Sequence, residues 1–264
     1  LMAAEYYIEQ EGLFILDEDQ KVRLAIERLG LNSVAPFDPD RKIIEYRVAG
    51  ERDEPLAGMT VRAFIEAVAS RSSTPGGGSV AAAVAAMGAG LGAMVGKLTY
   101  GVRKFESVDA QMRENIPPLH DAVARLIPMI DADTSAFNDF MAALRMPQKT
   151  DAERAARAEQ MQEGLKKATA VPLQTMQIAD GAWDALCEIA RYGNPASRSD
   201  VEVGAKALET GIWGAYQNVM INMKDIKDEA FREDIGAEVS ELLDRAQEKY
   251  ARVLAILENR EASS

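Results

Sequence analysis

The sequence has little sulfur or imidazole chemistry to offer: one cysteine, Cys187, and one histidine, His120. A lone thiol excludes an internal disulfide. Following AWDAL at helical spacing, Cys187 reads as a buried structural thiol. With no Cys/His cluster at metal-ligand spacing, no metal site is expected. Positive charge is also short. Lys and Arg number 30 against 42 Asp and Glu, a formal net charge of -12. That balance argues against non-specific binding to nucleic acid or to an anionic membrane, so neither is an expected partner. An anionic ligand would need a local basic patch. The opening LMAAEYYIEQEGLF lacks the basic n-region and apolar run of a signal peptide. The missing disulfide framework suits a reducing cytoplasm, the expected location. Aromatics are only 6%, so small and flexible apolar side chains must do the filling.

Those side chains are plentiful. Hydrophobic residues make up 47% of the 264 residues, enough for a sizeable core, and Ala, Leu, Met, Glu and Lys all favour helices. Three zones separate. Residues 1–48 show two helical patterns, around Ala3–Glu11 and Glu18–Leu29, with Gly30 as a stop signal. APFDPD then leads into KIIEYRV (Lys42–Val48), which reads as a strand without partners. Residues 49–58, AGERDEPLAG, read as a linker. From residue 59 to 264 the pattern is helix after helix. Thr60 caps a helix bearing Val61, Phe64, Ile65 and Val68 on one face. A long stretch from about Val108 to Leu144 is expected to break at Pro117-Pro118 and to kink near Pro128. Pro172 is expected to interrupt a later helix. Thr150 with Glu153, and Ser199 with Glu202, fit capping boxes. The fold class is therefore an all-α, up-and-down helical bundle with a short N-terminal α/β fragment.

One stretch raises a membrane question. Gly76 to Gly96 is uncharged and about as long as a bilayer span requires. Gly88, Gly92 and Gly96 repeat a small-xxx-small spacing. The better reading is a buried bundle helix, because Ala and Gly contribute little to insertion. Its glycine groove is expected to receive a second copy of the chain.

Three features could hold chemistry. STPGGGSVAAAV places Gly76, Gly77, Gly78 and Ser79 where backbone N–H groups can converge on an anion. The helix it opens ends in KLTYGVRKFE, with Lys97, Tyr100, Arg103 and Lys104 forming a basic, aromatic end in an acidic protein. LIPMIDADTSAF supplies Asp131 and Asp133. Their i, i+2 spacing turns them to different faces, and a carboxylate pressed against an apolar core has a raised pKa and can exchange protons near neutrality. RYGNPASRSDVEVGAKALETGIWGAYQNVMINMKDI adds Asn194 and Asp200 in and after a loop. Asn218 and Asn222 lie four apart on one helix face, a polar strip inside a bundle. His120, after Pro-Pro, could be a base by type but reads as a boundary histidine.

TPGGGSVAAAVAAMGAGLGAMVGKLTYGVRKFE resembles the signature of the formimidoyltransferase–cyclodeaminase family, in its cyclodeaminase domain. The resemblance continues through IPPLHDAVARLIPMIDADTSAF, MQEGLKKATAVPL and GNPASRSDVEVGAKALETGIWGAYQNVMINMKDIKDEAF. It covers the chain from Met59 to the last helix. Residues 1–48 resemble the end of the transferase domain of the bifunctional members, whose catalytic part is not in this chain. The resemblance implies a helical bundle of the cyclodeaminase type and a part of a longer bifunctional enzyme.

It also implies an activity. Formimidoyltetrahydrofolate is closed to 5,10-methenyltetrahydrofolate with release of ammonia, in histidine degradation and one-carbon metabolism. No cofactor is implied beyond the tetrahydrofolate substrate, which can be polyglutamylated. A homo-oligomer, at least a dimer of helical domains, is implied too. The family's catalytic acid falls in the stretch matching IDADTSAF, which points to Asp133 or Asp131, with Asp133 preferred. The glycine loop, Tyr100 and Arg103 would hold the folate. Asn194, Asp200, Asn218 and Asn222 would orient its pterin or amide groups. Two rivals stand beside this reading: a methenyltetrahydrofolate cyclohydrolase on the same fold, and a non-catalytic folate-binding module.

Overall fold

The computed structural model describes residues 1–44 and 54–262. The chain divides into two compact units, Leu1–Glu54 and Pro55–Ser264.

The first unit contains α1 (Met2–Glu11), α2 (Glu18–Arg28) and a short α3 (Pro39–Lys42). Gly12, at φ 64°, ends α1 in the left-handed conformation that only glycine adopts at no steric cost. Arg28 donates through Nε and Nη2 to both carboxylate oxygens of Glu11, at 2.7 and 2.6 Å, and ties α2 to α1. Ala4, Val22, Leu24 and Ile26 are buried. Among the described residues of this unit there is no strand. Lys42, expected to open one, closes α3 instead, because Asp38 caps that turn and Pro39 starts it. The rest of the expected strand, from residue 45 to 48, lies outside the described residues.

The second unit is a helical bundle: α4 (Val61–Val68), α5 (Gly77–Thr99), α6 (Asp109–Leu144), α7 (Asp151–Asp180), α8 (Trp183–Tyr192), α9 (Arg198–Met223) and α10 (Glu229–Ala262). The expected cap of α4 is present, with Thr60 Oγ1 accepting the Ala63 amide at 3.2 Å. So is the Thr150–Glu153 capping box of α7. The Ser199–Glu202 box is not. α9 begins at Arg198 after a 3-10 turn, and Glu202 is engaged by Arg198 Nε at 2.8 Å. The prolines are a second correction. α6 runs unbroken through Pro117, Pro118 and Pro128, and α7 through Pro172. A proline removes one backbone hydrogen bond. Here the flanking Ile116, Leu119, Leu126 and Ile130 are locked in the core, so packing outweighs that loss.

α5 is the centre of the bundle. α6 and α9 both run antiparallel to it, and glycines let them come close. A Cβ on Gly88 would stand 2.6 Å from the Leu208 nitrogen and 2.7 Å from the Gly204 oxygen. One on Gly211 would stand 2.6 Å from the Ala85 Cβ. Gly92 faces Leu186 and Leu119, and Gly96 faces Ile116 and Ile189. The expected partner in this groove was a second copy of the chain. The structure fills it with α6, α8 and α9 of the same chain. α5 is long and apolar enough to cross a bilayer, yet 67% of its most apolar stretch is buried within the bundle.

The opposite face of α5 is apolar too. Val80, Val84, Met87, Leu91, Met94 and Leu98 recur at steps of four, three, four, three and four. Met87, Met94 and Leu98 are 57%, 36% and 52% exposed. That is the spacing of a helix-pairing seam. The apolar face of α4 lies beside it. Together with Leu56, Ala57 and Ile130 these two helices line a groove of about 340 Å³.

Candidate active site

The first turn of α5 has three glycines before it can offer a side chain. Gly76, its N-cap, has no cap of its own to give. Asp133, on α6, supplies one from 54 residues away. Its Oδ2 accepts the Ser79 amide at 2.9 Å and the Ser79 hydroxyl at 3.2 Å. That hydroxyl shares its one proton between Asp133 Oδ2 and the Ile130 carbonyl, 2.8 Å away, and its oxygen lies 3.2 Å from Thr134 Oγ1. A fully buried hydroxyl thus joins the start of α5 to one turn of α6.

Gly78 makes this contact possible. A Cβ there would lie 2.0 Å from Asp133 Oδ1, well inside any tolerable contact. Gly77 faces a third helix: its Cβ would lie 3.2 Å from Asn218 Nδ2 on α9. Gly77, Gly78, Ser79, Asp133 and Asn218 therefore meet at one end of the bundle, with Gly76 beside them.

Two influences act on the Asp133 carboxyl. Burial pushes its pKa above the ordinary 3.8, and the two Ser79 hydrogen bonds oppose that push without cancelling it. The outcome is a partly buried acid at a helix N-terminus with its pKa held above the ordinary carboxylate value.

Asp131 sits differently. Its Oδ1 accepts the Leu56 amide at 2.7 Å and its Oδ2 the Ala57 amide at 3.0 Å. Both oxygens are spent on holding the segment ahead of α4. The i, i+2 spacing has sent the two acids to different neighbours. Asn218 and Asn222 part company as well. Asn218 Nδ2 donates to its own helix at Gly214 O, 2.8 Å, while Asn222 Nδ2 reaches Ala168 O on α7 at 2.8 Å and ties the two helices together.

The remaining candidates are elsewhere. Tyr100 and Arg103 follow the other end of α5, a helix of 23 residues and hence about 35 Å long. Asn194 joins them there, its amide donating to Thr99 Oγ1 at 2.8 Å. Asp200 lies in the first turn of α9, about 27 Å along that helix from Asn218. One chain does not bring Tyr100, Arg103, Asn194 and Asp200 to Asp133. Helix length is the reason, and the sequence spacing already contained it. His120 lies 13 residues ahead of Asp133 on α6, about 20 Å away along the axis. Cys187 is buried, and desolvation pushes its thiol up, which suits a core residue. Thr134 and the Ile130 carbonyl are the site groups that sequence reasoning passed over. A threonine beside an apolar-flanked aspartate was the available signal.

Two family models match the chain: one described as formiminotransferase-cyclodeaminase over residues 60–241, and one described as formiminotransferase domain over residues 1–49. The formimidoyltransferase-cyclodeaminase of Dictyostelium discoideum is 52% identical over 262 residues, and that of Gallus gallus 49% over 263. The alignments cover 98% and 99% of this chain but 48% and 49% of those proteins. The chain thus spans about half the length of the curated relatives it matches. A methenyltetrahydrofolate cyclohydrolase of Methylorubrum extorquens is 37% identical over 187 residues, 71% of this chain and 90% of that one. A crystal structure of formiminotetrahydrofolate cyclodeaminase from Thermotoga maritima superposes with a TM-score of 0.69 at 28% identity, covering 76% of this chain and 97% of that one.

Proposed function

The chain belongs to the formiminotransferase-cyclodeaminase family, and from this premise we infer that its helical unit closes formimidoyltetrahydrofolate to 5,10-methenyltetrahydrofolate with loss of ammonia. The observation that supports this most is the buried Asp133 carboxyl held on the Ser79 amide and hydroxyl against Gly78. The reaction needs a group that takes one proton and returns it. N10 of the folate attacks the formimino carbon and forms the new C–N bond. The ionised Asp133 takes the N10 proton. The neutral Asp133 then protonates the amino group on the tetrahedral carbon, the C–N bond to it breaks, and ammonia leaves. The positive charge of the starting amidinium ends on the methenyl bridge, so charge and protons balance. A carboxyl with a raised pKa suits both halves. The steps require no metal or redox cofactor.

Asp131 is assigned to positioning, because both its oxygens already hold backbone amides. Gly76, Gly77, Ser79 and Asn218 border the reacting end of the folate.

The α5 seam supports a homo-oligomer, at least a dimer. The site stands where α5 begins, at the border of that exposed apolar face. Two copies of α5 paired antiparallel would set each copy's Tyr100 and Arg103 beside the other copy's Gly77. This is how those residues, out of reach within one chain, would hold a folate and its glutamyl tail. Mixing Asp133→Asn with Arg103→Ala chains tests it: an equal, randomly paired mixture regains up to about a quarter of all its sites, and no regain refutes sharing.

The cyclohydrolase reading is supported by the Methylorubrum extorquens relative. The match of residues 1–49 to the formiminotransferase domain favours the cyclodeaminase. Ammonia release from formimidoyltetrahydrofolate, measured beside hydrolysis of methenyltetrahydrofolate, separates the two. Absence of both leaves only a folate-binding module. A cytoplasmic setting, where such folates circulate, completes the reading.

A further inference from the structure

The Ser79 hydroxyl is fully buried and has one proton to give. Two acceptors compete for it: Asp133 Oδ2 at 3.2 Å and the Ile130 carbonyl at 2.8 Å. A third neighbour, Thr134 Oγ1 at 3.2 Å, has no other hydrogen-bond partner among the described residues. Donation from Thr134 to Ser79 Oγ satisfies both hydroxyls at once. It fills a lone pair of the Ser79 oxygen and leaves the Ser79 proton for one of the other two acceptors.

The two oxygens of Asp133 are unlike. Oδ2 accepts the Ser79 amide at 2.9 Å as well as the hydroxyl. Oδ1 accepts no hydrogen bond from the described residues. It stands against the bare backbone of Gly78, 2.0 Å from where a Cβ would be.

The charge on the carboxyl decides which acceptor the hydroxyl prefers. A hydrogen bond to an ionised oxygen is roughly twice as strong as one between neutral groups. An ionised Oδ2 therefore holds the hydroxyl despite the longer distance. A proton on Oδ1 makes Oδ2 an ordinary carbonyl oxygen, and the nearer Ile130 carbonyl then takes the hydroxyl. A carbonyl within a helix keeps a second lone pair for such a bond. The Ser79 amide stays on Oδ2 in both states, so neither state leaves a buried polar group of this cluster unpaired. No ion pair intervenes. Burial and the two Ser79 bonds set the charge of Asp133. Gly77, Gly78, Thr134 and Asn218, which meet here, are neutral, and Asp131 is turned to the Leu56 and Ala57 amides.

We propose that Ser79 is a positioning residue whose hydroxyl follows the charge of Asp133: it donates to Oδ2 when the carboxyl is ionised and to the Ile130 carbonyl when Oδ1 carries the proton. Oδ1 is then the oxygen that exchanges protons with the substrate, and Oδ2 the one that fixes the carboxyl in place. The change is a turn of one O–H bond with no heavy atom moving, so little reorganisation opposes the proton transfer. The role of Oδ1 rests on the cyclodeaminase reading above. The coupling of hydroxyl to charge does not.

Carboxyl-carbon NMR on the full chain, isotope-labelled at aspartate, reads the Asp133 titration, and the signal lost in Asp133→Asn identifies it. Ser79→Ala keeps the backbone amide and removes the hydroxyl that favours the charged form. Its Asp133 is expected to titrate at higher pH than in the parent. Thr134→Val removes the donor behind Ser79 and is expected to move the titration the same way by less. The rising limb of ammonia release against pH should follow both, because the ionised carboxyl takes the N10 proton. On that limb Ser79→Ala should lower turnover about tenfold. Added to Asp133→Asn it should lower turnover no further, since the hydroxyl acts through that carboxyl. Thermal melts check folding, and where Ser79→Ala does not fold, Thr134→Val carries the test. The proposal is overturned if Asp133 titrates in the folded variant as in the parent, or if Ser79→Ala costs the same factor with and without Asp133→Asn. A raised titration in a chain that releases no ammonia would keep the coupling and sink the cyclodeaminase reading. An unmoved titration with ammonia release intact would sink the coupling alone.

Discussion

Asp133 Oδ2 accepts the amide of Ser79 at 2.9 Å across 54 residues of sequence. An N-cap normally comes from the residue just before its helix. Here it comes from a neighbouring helix, and the capping oxygen belongs to the acid assigned the proton transfer. Cap and acid are one group, so altering Asp133 touches both structure and chemistry.

Asn at position 133 keeps an oxygen for Ser79 but cannot take a proton. Asp133→Asn is expected to lower turnover about a hundredfold or more while folate affinity changes little. Asp131→Asn is expected to leave turnover within about tenfold and to cost about 1–3 kcal/mol of stability through the Leu56 and Ala57 amides. Single-turnover ammonia release, direct folate binding and urea melts on each variant decide the pair. Loss of binding together with turnover in Asp133→Asn makes that residue an anchor and removes it as the proton carrier.

Stability should report the same acid. Folding raises the Asp133 pKa above 3.8, so between that value and the folded one the native chain holds a proton the unfolded chain has released. Its contribution to stability is complete below 3.8 and falls as pH rises through that window. Asp133→Asn has no such proton. Its stability relative to the parent should climb with pH across the window and then level off. Denaturation midpoints from pH 4 upward test this, and a constant difference contradicts the assignment.

The glycines before α5 divide sharply. Gly78→Ala forces a Cβ into Asp133 Oδ1 at 2.0 Å, whereas Gly76→Ala meets only the Ser73 carbonyl, at 3.6 Å. Gly78→Ala should cost activity about as much as losing Asp133 itself, because the carboxylate must leave its place. Gly76→Ala should stay within about tenfold of the parent. Similar rates for the two would show that Asp133 moves without consequence.

Gly88→Ala and Leu98→Glu separate fold from assembly. The first drives a Cβ to 2.6 Å from the Leu208 nitrogen and should cost about 1–3 kcal/mol by overpacking. The second charges the exposed seam of α5 and should lower the sedimentation coefficient while helix content stays unchanged. An oligomer that survives Leu98→Glu would exclude the seam as the contact.

The sequence made the bundle and the acid legible for definite reasons. Periodicity located the helices of the second unit, and Thr60 and Thr150 marked two helix starts correctly. An apolar run ahead of Asp131 and Asp133 announced a partly buried carboxyl, and the i, i+2 spacing announced that the two would diverge. The prolines misled, because propensity says nothing of the core contacts that carry α6 past Pro117, Pro118 and Pro128. The small-xxx-small glycines were read correctly as a close approach and assigned to the wrong neighbour. Spacing tells how near another backbone comes, not whose backbone it is. Tyr100 and Arg103 stand a helix length from Gly77 within one chain, and the sequence pattern does not say which copy would bring them to it.

The interlocked glycines along α5 and α9 bear on insertions and deletions. Gly88 on Gly204 and Leu208, and Gly211 on Ala81 and Ala85, work like teeth. Adding one residue to α5 between Ala81 and Gly88 would turn everything ahead of it by about 100° and shift it by about 1.5 Å. The Gly88 contact would hold the rest of the helix in place, so the displacement would fall on Ala81 against Gly211 and on Gly77, Gly78 and Ser79. Chain length in that interval is thus as strictly set as the identity of the acid.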